Sequence, residues 1–182
     1  MHRIIVWIDT LNEWIGRFLL WLVLPMVLFA GYNAIARYLS QPLEMNLSSN
    51  ALLEVQWYLF SVLILLGAGY VLKHDAHVRV DILYNRYPEK VKNWVNLLGS
   101  FLLAMPFCFI TAWACMDSVI HSWSVMEMSP DPGGLPRYPI KTMIPIGLVL
   151  VGLQSFSLGL KSLSCILGRE EKIDTDLSGH AI

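Results

Sequence analysis

Charged residues fall in clumps along this chain and leave four uncharged runs, at 18–36, 55–72, 93–116 and 142–160. At 1.5 Å per residue the shorter runs reach about 28 Å and the third about 36 Å. Against a hydrocarbon core of about 30 Å, each can cross a bilayer as a helix, and the third has room to tilt. Helices satisfy their own backbone groups in lipid, whereas a barrel needs many short alternating segments that this pattern lacks. The pattern predicts an all-α integral membrane protein with four transmembrane helices and an interfacial amphipathic connector. It forms one membrane domain over residues 1–168, followed by a polar cytoplasmic tail at 169–182.

Before the first run, Ile4, Ile8, Leu11 and Ile15 share a helical face, with Asp9 and Glu13 off it. That suits either an interfacial helix or a cytoplasmic extension of helix 1, and the long run that follows argues against a cleaved signal peptide. Helix 1 is expected to end near Arg37 and Tyr38. Pro25 is placed to bend it, Ala30 and Ala34 offer a small contact face, and Asn33 either packs or bonds to a neighbour. Pro42 and the Ser48, Ser49, Asn50 cluster mark a boundary, with Ser49 or Asn50 expected to cap helix 2. Glu54 then sits near that helix's positive end, as a specific contact or as an ordinary interfacial acid. Gln56 and Trp57 follow at the same interface, and Gly67 and Gly69 permit close approach at the far end.

Helix 3 opens at Pro88 and Glu89 and carries Pro106 with the small residues Ala104, Cys108 and Ala112. Pro130, Pro132, Gly133, Gly134 and Pro136 predict a turn before helix 4, and Arg137, Tyr138 and Lys141 form an interfacial belt. In helix 4 the small residues favour close contact, and Gln154 is a candidate for a bond inside a protein interface.

The connector between helices 2 and 3 changes solvent abruptly. It begins with Lys73, His74, Asp75, Ala76 and His77, which have no closed ligand set and no His-Glu-x-x-His signature, so no metal site is expected. Val80, Leu83, Tyr84 and Tyr87 share a face opposite Arg79, Asp81 and Arg86, the pattern of a short interfacial helix; alternation of Val78, Val80 and Ile82 leaves an extended start open. Lys73, Arg79, Arg86, Lys90 and Lys92 lie on this connector, and the 39–53 loop has no Lys or Arg. The positive-inside rule therefore puts the connector and both termini in the cytoplasm, and Glu54 and Glu127 on the outer side.

Composition agrees with the bilayer as solvent: 55% hydrophobic and 15% charged residues are too apolar and too charge-poor for an ordinary soluble domain. The net charge of -1, with no aromatic-interleaved basic patch, gives no reason to expect nucleic acid. Cys108, Cys115 and Cys165 lack metal-ligand spacing, and the first two read as packing groups in helix 3. No paired carboxylates, Ser/His/Asp set or transmembrane histidine pair points to an enzyme or to haem, and no filter or series of pore charges points to a channel.

Three stretches taken together carry a family resemblance. They are Glu54 to Trp57, Leu66 to Tyr70, and Lys73 to Tyr84, continuing into the helix opened by Tyr87 and Pro88. Over residues 14–167 the chain resembles the small membrane subunit of a TRAP transporter, the DctQ-like family. The resemblance implies a scaffold subunit, not an enzyme, in a tripartite secondary importer of the bacterial inner membrane. Its implied partners are a large multispanning subunit, an extracytoplasmic solute-binding protein and membrane lipids. It also implies sodium bound by the large subunit, no cofactor in this chain, and an organic acid as solute. Lys73, His77, Arg79 and Asp81 are then expected to stabilise the connector through hydrogen bonds, charge pairing or anionic lipids. Glu54, Gln56 and Trp57 support the outer-side complex or subunit packing. The plainer reading of the connector charges is topology alone, with Asp81 as local balance. From another class, a membrane anchor for a respiratory or oxidoreductase complex is the alternative.

Overall fold

A computed structural model describes residues 2–43, 48–76 and 87–168. It contains four long helices: α1 (His2–Leu43), α2 (Asn50–Lys73), α3 (Glu89–Ser124) and α4 (Tyr138–Ile166). All four are long and apolar enough to cross a membrane, and the chain is a multi-pass membrane protein. Among the described residues there is no strand beyond an isolated antiparallel bridge between Met128 and Pro136. The amphipathic segment expected at residues 80–87 falls almost wholly outside the described residues, and the tail at 169–182 lies outside them altogether.

Helix α1 is one continuous rod through Pro25, and it runs past Tyr38 to Leu43. At 1.5 Å per residue its 42 residues make about 63 Å, twice the hydrocarbon thickness, so its first turns are an extension of the span. The face that packs differs from the expected one. Ile5, Ile8, Asp9, Asn12, Gly16 and Leu19 are buried, while Ile4 is exposed and Leu11 and Ile15 are only half-buried. The reason is that the extension lies against other helices, and the contact there is partly polar, so Asp9 belongs to the seam and not to solvent.

Helix α4 is the axis of the bundle. It touches the other three, α1 also packs along α2, and α3 rests mainly on α4. Half of the residues in α4's apolar window are buried, far more than in the other three. Its buried positions include Gly147, Gly152, Ser155, Ser157, Gly159 and Ser162, small side chains that let backbones approach where lipid gives helices no hydrophobic drive to associate. A Cβ at Gly147 would stand 2.6 Å from the Leu65 carbonyl oxygen of α2, and one at Gly159 would stand 2.5 Å from the Phe101 ring of α3. Phe101 in turn meets Phe156 edge to face at 5.6 Å. Gly69 does the same for α1 against α2, while a Cβ at Gly67 would only reach ordinary contact with Leu19 at 3.5 Å, and Ala34 is exposed and makes no contact face.

Helix α3 widens into a π-helical turn over Gly99–Ala104, just before Pro106. Proline has no N–H to give the carbonyl four residues back and its ring crowds that group; a wider turn relieves both without a break. Helix α2 starts without the expected side-chain cap, although Ser49 holds the cap position in extended conformation. Its start is instead tied outward: Ser49 N–H donates to Asn33 Oδ1 at 3.4 Å, and Asn50 Nδ2 donates to the Pro132 carbonyl at 3.1 Å.

The glycine contacts predict a contrast measurable by far-UV circular dichroism during unfolding in mixed micelles. Gly147→Leu costs about 1–3 kcal/mol, because the obstacle is backbone. Gly31→Ala, with nothing within 4 Å of the new Cβ, is neutral or stabilising by up to about 1 kcal/mol.

Candidate functional site

Polar side chains gather at the two ends of the bundle. At the end carrying the connector and the start of α1, Asp9 is 1% exposed yet fully answered by α4. Its Oδ1 accepts from Gln154 Nε2 and Ser157 Oγ, each at 2.9 Å, and Oδ2 faces Lys161 Nζ at 2.5 Å as an ion pair. One turn along, Asn12 Nδ2 donates to Gln154 Oε1 at 2.8 Å and to the Ile8 carbonyl at 3.1 Å. The Gln154 amide thus gives a hydrogen to one α1 side chain and accepts one from another. Asn12 Oδ1 is pressed against Gly69 of α2, where a Cβ would come within 2.2 Å of it. A single buried seam therefore ties α1, α2 and α4.

Glu13 forms the outer layer of that seam. Its Oε2 accepts from Lys73 Nζ at 2.7 Å and meets His74 Nε2 at 2.9 Å, while Oε1 takes Arg17 Nε at 3.1 Å. Tyr70 stacks tilted on His74 with centroids 4.4 Å apart, and its ring lies over Gly16.

At the opposite end, residues 125–137 close over the start of α2. Glu54 is buried and accepts from Ser129 Oγ and from Leu135 N–H, and a Cβ at Gly134 would meet both Ser129 and Glu54. Tyr58 donates to the Pro136 carbonyl at 3.2 Å. Glu127 takes Ser122 Oγ at 2.7 Å and pairs with Lys141, and its carbonyl accepts from Arg137 N–H at 2.8 Å. Trp123 Nε1 donates to Thr142 Oγ1 at 2.9 Å. The loop is a fitted cap joining α2, α3 and α4.

Two comparisons with known proteins bear on what this arrangement serves. The family described as tripartite ATP-independent periplasmic transporters, DctQ component, matches residues 26–163, a stretch that enters all four helices. The chain belongs to this family. A relative, the ectoine TRAP transporter small permease protein TeaB of Halomonas elongata, is 22% identical over 111 residues; these make up 61% of this chain and 56% of that protein. The chain thus spans little more than half the length of the curated relative it matches. No solved structure matches it.

The DctQ match contains Gln154, Ser157 and Lys161 but begins after Asp9, Asn12 and Glu13. Of the residues singled out from sequence, Glu54 is committed to the loop and Lys73 to Glu13. Gln56 is half-buried on α2, and Trp57 beside it is 68% exposed. His77, Arg79 and Asp81 lie outside the described residues. Among the described residues, no three or more His, Cys, Asp or Glu side chains come together as metal ligands would.

The seam predicts unequal costs for its ion pair. Lys161→Met strands the Asp9 carboxylate in the interior and costs about 3 kcal/mol, near the low end for breaking a buried pair because Lys161 is 26% exposed. Asp9→Asn keeps a hydrogen-bonding group and frees a lysine that can snorkel to the headgroups, at about 1 kcal/mol. The double variant should cost no more than Asp9→Asn alone in micellar unfolding; additive costs would contradict the pairing.

The loop predicts an acid-sensitive cap. Hydrogen bonds from Lys141 and then Ser122 hold the Glu127 carboxyl below its ordinary value of 4.5, against a smaller opposing effect of desolvation. A depressed folded-state value means the contribution is complete above 4.5 and is lost as pH falls through the lower, folded value. Exchange protection of the Arg137 amide, corrected for intrinsic rates, should hold steady above 4.5 and fall in more acidic solution. Glu127→Gln should shrink that step.

Proposed function

We propose that this DctQ-family chain is the fixed small subunit of a tripartite importer. It holds a larger multispanning subunit in the bacterial inner membrane and works with an extracytoplasmic solute-binding protein. The observation that carries the reading is the family match over residues 26–163, which takes in part of every helix. The internal architecture supports it. The seam and the cap spend their polar groups on helix-to-helix and loop-to-helix bonds, as suits a part that stays rigid while a partner moves.

In this reading the connector end faces the cytoplasm with both termini, since Lys73, Lys90, Lys92 and the neighbouring Arg79 and Arg86 cluster there. Glu54, Gln56 and Trp57 are then on the outer side. Glu54 acts through the cap it anchors, and Trp57, exposed beside it, is the side chain free to meet a partner subunit or the interface. His77, Arg79 and Asp81 steady the connector against headgroups or a partner. Sodium belongs to the large subunit and the solute is an organic acid; ectoine is the solute in the name of the relative alone.

A tagged copy of the chain, extracted from its native membranes in mild detergent, should bring down a larger multispanning protein in stoichiometric amount. In sealed vesicles, sodium-driven uptake of a ligand found by screening the solute-binding protein should then need both membrane subunits. Uptake by this chain alone, or recovery of a haem- or flavin-bearing redox partner, would overturn the proposal.

A further inference from the structure

Between α1 and α2 runs a laterally open groove of about 440 Å³. Its walls are apolar: Leu19, Leu20 and Met26 on α1 face Phe60, Leu63 and Ala68 on α2. The two helices are antiparallel here, with Gly16 level with Tyr70 at one end and Met26 and Phe60 at the other. From Gly16 to Met26 the helical rise gives about 15 Å, half of a hydrocarbon core of about 30 Å. The groove begins two residues before the first uncharged run and ends near that run's middle, so it has the depth of one leaflet.

Its shallow end is charged. Tyr70, part of the wall, stacks on His74; His74 meets Glu13; and Glu13 pairs with Lys73 and Arg17. Two fixed cations, Lys73 and Arg17, face the one carboxylate of Glu13. Lys73 is largely enclosed by the pairing, while Arg17, the residue after Gly16, stays 70% exposed. An apolar trough one leaflet deep that ends at a net-positive cluster is complementary to a molecule with an anionic head and a long apolar tail.

We propose that this groove is a binding site for one anionic phospholipid of the leaflet at the connector end, one of its two acyl chains lying between α1 and α2 and its phosphate at Arg17. The site needs only the membrane setting and holds whether or not the transporter assignment does. An apolar helix of a partner subunit would also fit the trough, but it would bring nothing to match the second cation that Lys73 and Arg17 together set against the single Glu13 carboxylate.

Native mass spectrometry of the full chain, delipidated and then given either dioleoylphosphatidylglycerol or dioleoylphosphatidylcholine in micelles, tests the site. One bound phosphatidylglycerol should be retained about fivefold more than phosphatidylcholine, the factor that one Lys or Arg charge at an anionic headgroup supplies. Arg17→Gln should erase that preference and leave phosphatidylcholine unchanged; the pair it breaks is exposed and carries little stability. Ala68→Phe, which fills the trough, should lower retention of both lipids. Circular dichroism checks that each variant is folded. Equal retention of the two lipids by the unaltered chain, or an Arg17→Gln preference equal to that of the unaltered chain, would overturn the proposal. So would an Ala68→Phe chain that keeps its lipid but no longer brings down a membrane partner, since the groove would then belong to that partner.

Discussion

A carboxylate enclosed among apolar helices must be answered by donors, and Asp9 of α1 is answered entirely by α4, through Gln154, Ser157 and Lys161. This constraint sets much of what surrounds it. The three partners lie at positions 154, 157 and 161, one face of one helix, so α1 has a single rotation and a single depth at which the carboxylate is satisfied. Asn12 repeats the bond one turn on, and its own oxygen needs Gly69 to let α2 in. Hydrophobic burial gives helices in lipid little reason to choose one neighbour over another; a shared polar seam does.

The same economy governs the other end. Glu54 is placed at the start of α2, where a helix favours negative charge, and its oxygens are taken by a loop that is otherwise rich in proline and glycine. With the seam at one end and the cap at the other, α4 is held along its length by close glycine contacts to α2 and α3. The bundle is therefore clamped at both ends and closely packed between them, which is what the proposed scaffold role requires.

The spans could be read from the sequence because lipid demands an uncharged run of a certain length, and the charges bracketing 18–36 or 142–160 are local facts. The seam could not be read so easily. Treating Ile4, Ile8, Leu11 and Ile15 as the packing face assumes that polar residues seek water, while the start of α1 packs on Gln154 and Ser157, more than 140 residues away. The one local hint was that Asp9, Asn12 and Gly16 keep helical spacing with Ile5 and Leu19, a stripe hidden by its mixed chemistry. Glu54 shows the same limit, since Ser129 and Leu135 are 75 and 81 residues on. Glycines were legible as a class and not one by one: Gly147 touches backbone, Gly31 touches nothing, and their neighbourhoods in sequence do not tell them apart.

If the chain is the fixed subunit proposed above, its four helices move as one body through the transport cycle. Spin labels at Thr10 on α1 and Asp117 on α3, both exposed, in a chain with its three cysteines replaced, measure this directly by pulsed dipolar spectroscopy in the assembled membrane complex. A rigid bundle gives a single distance distribution, the same in sodium-free and sodium-loaded samples. A second population, or a shift of the peak by a helical turn, about 5 Å, on adding sodium would contradict it.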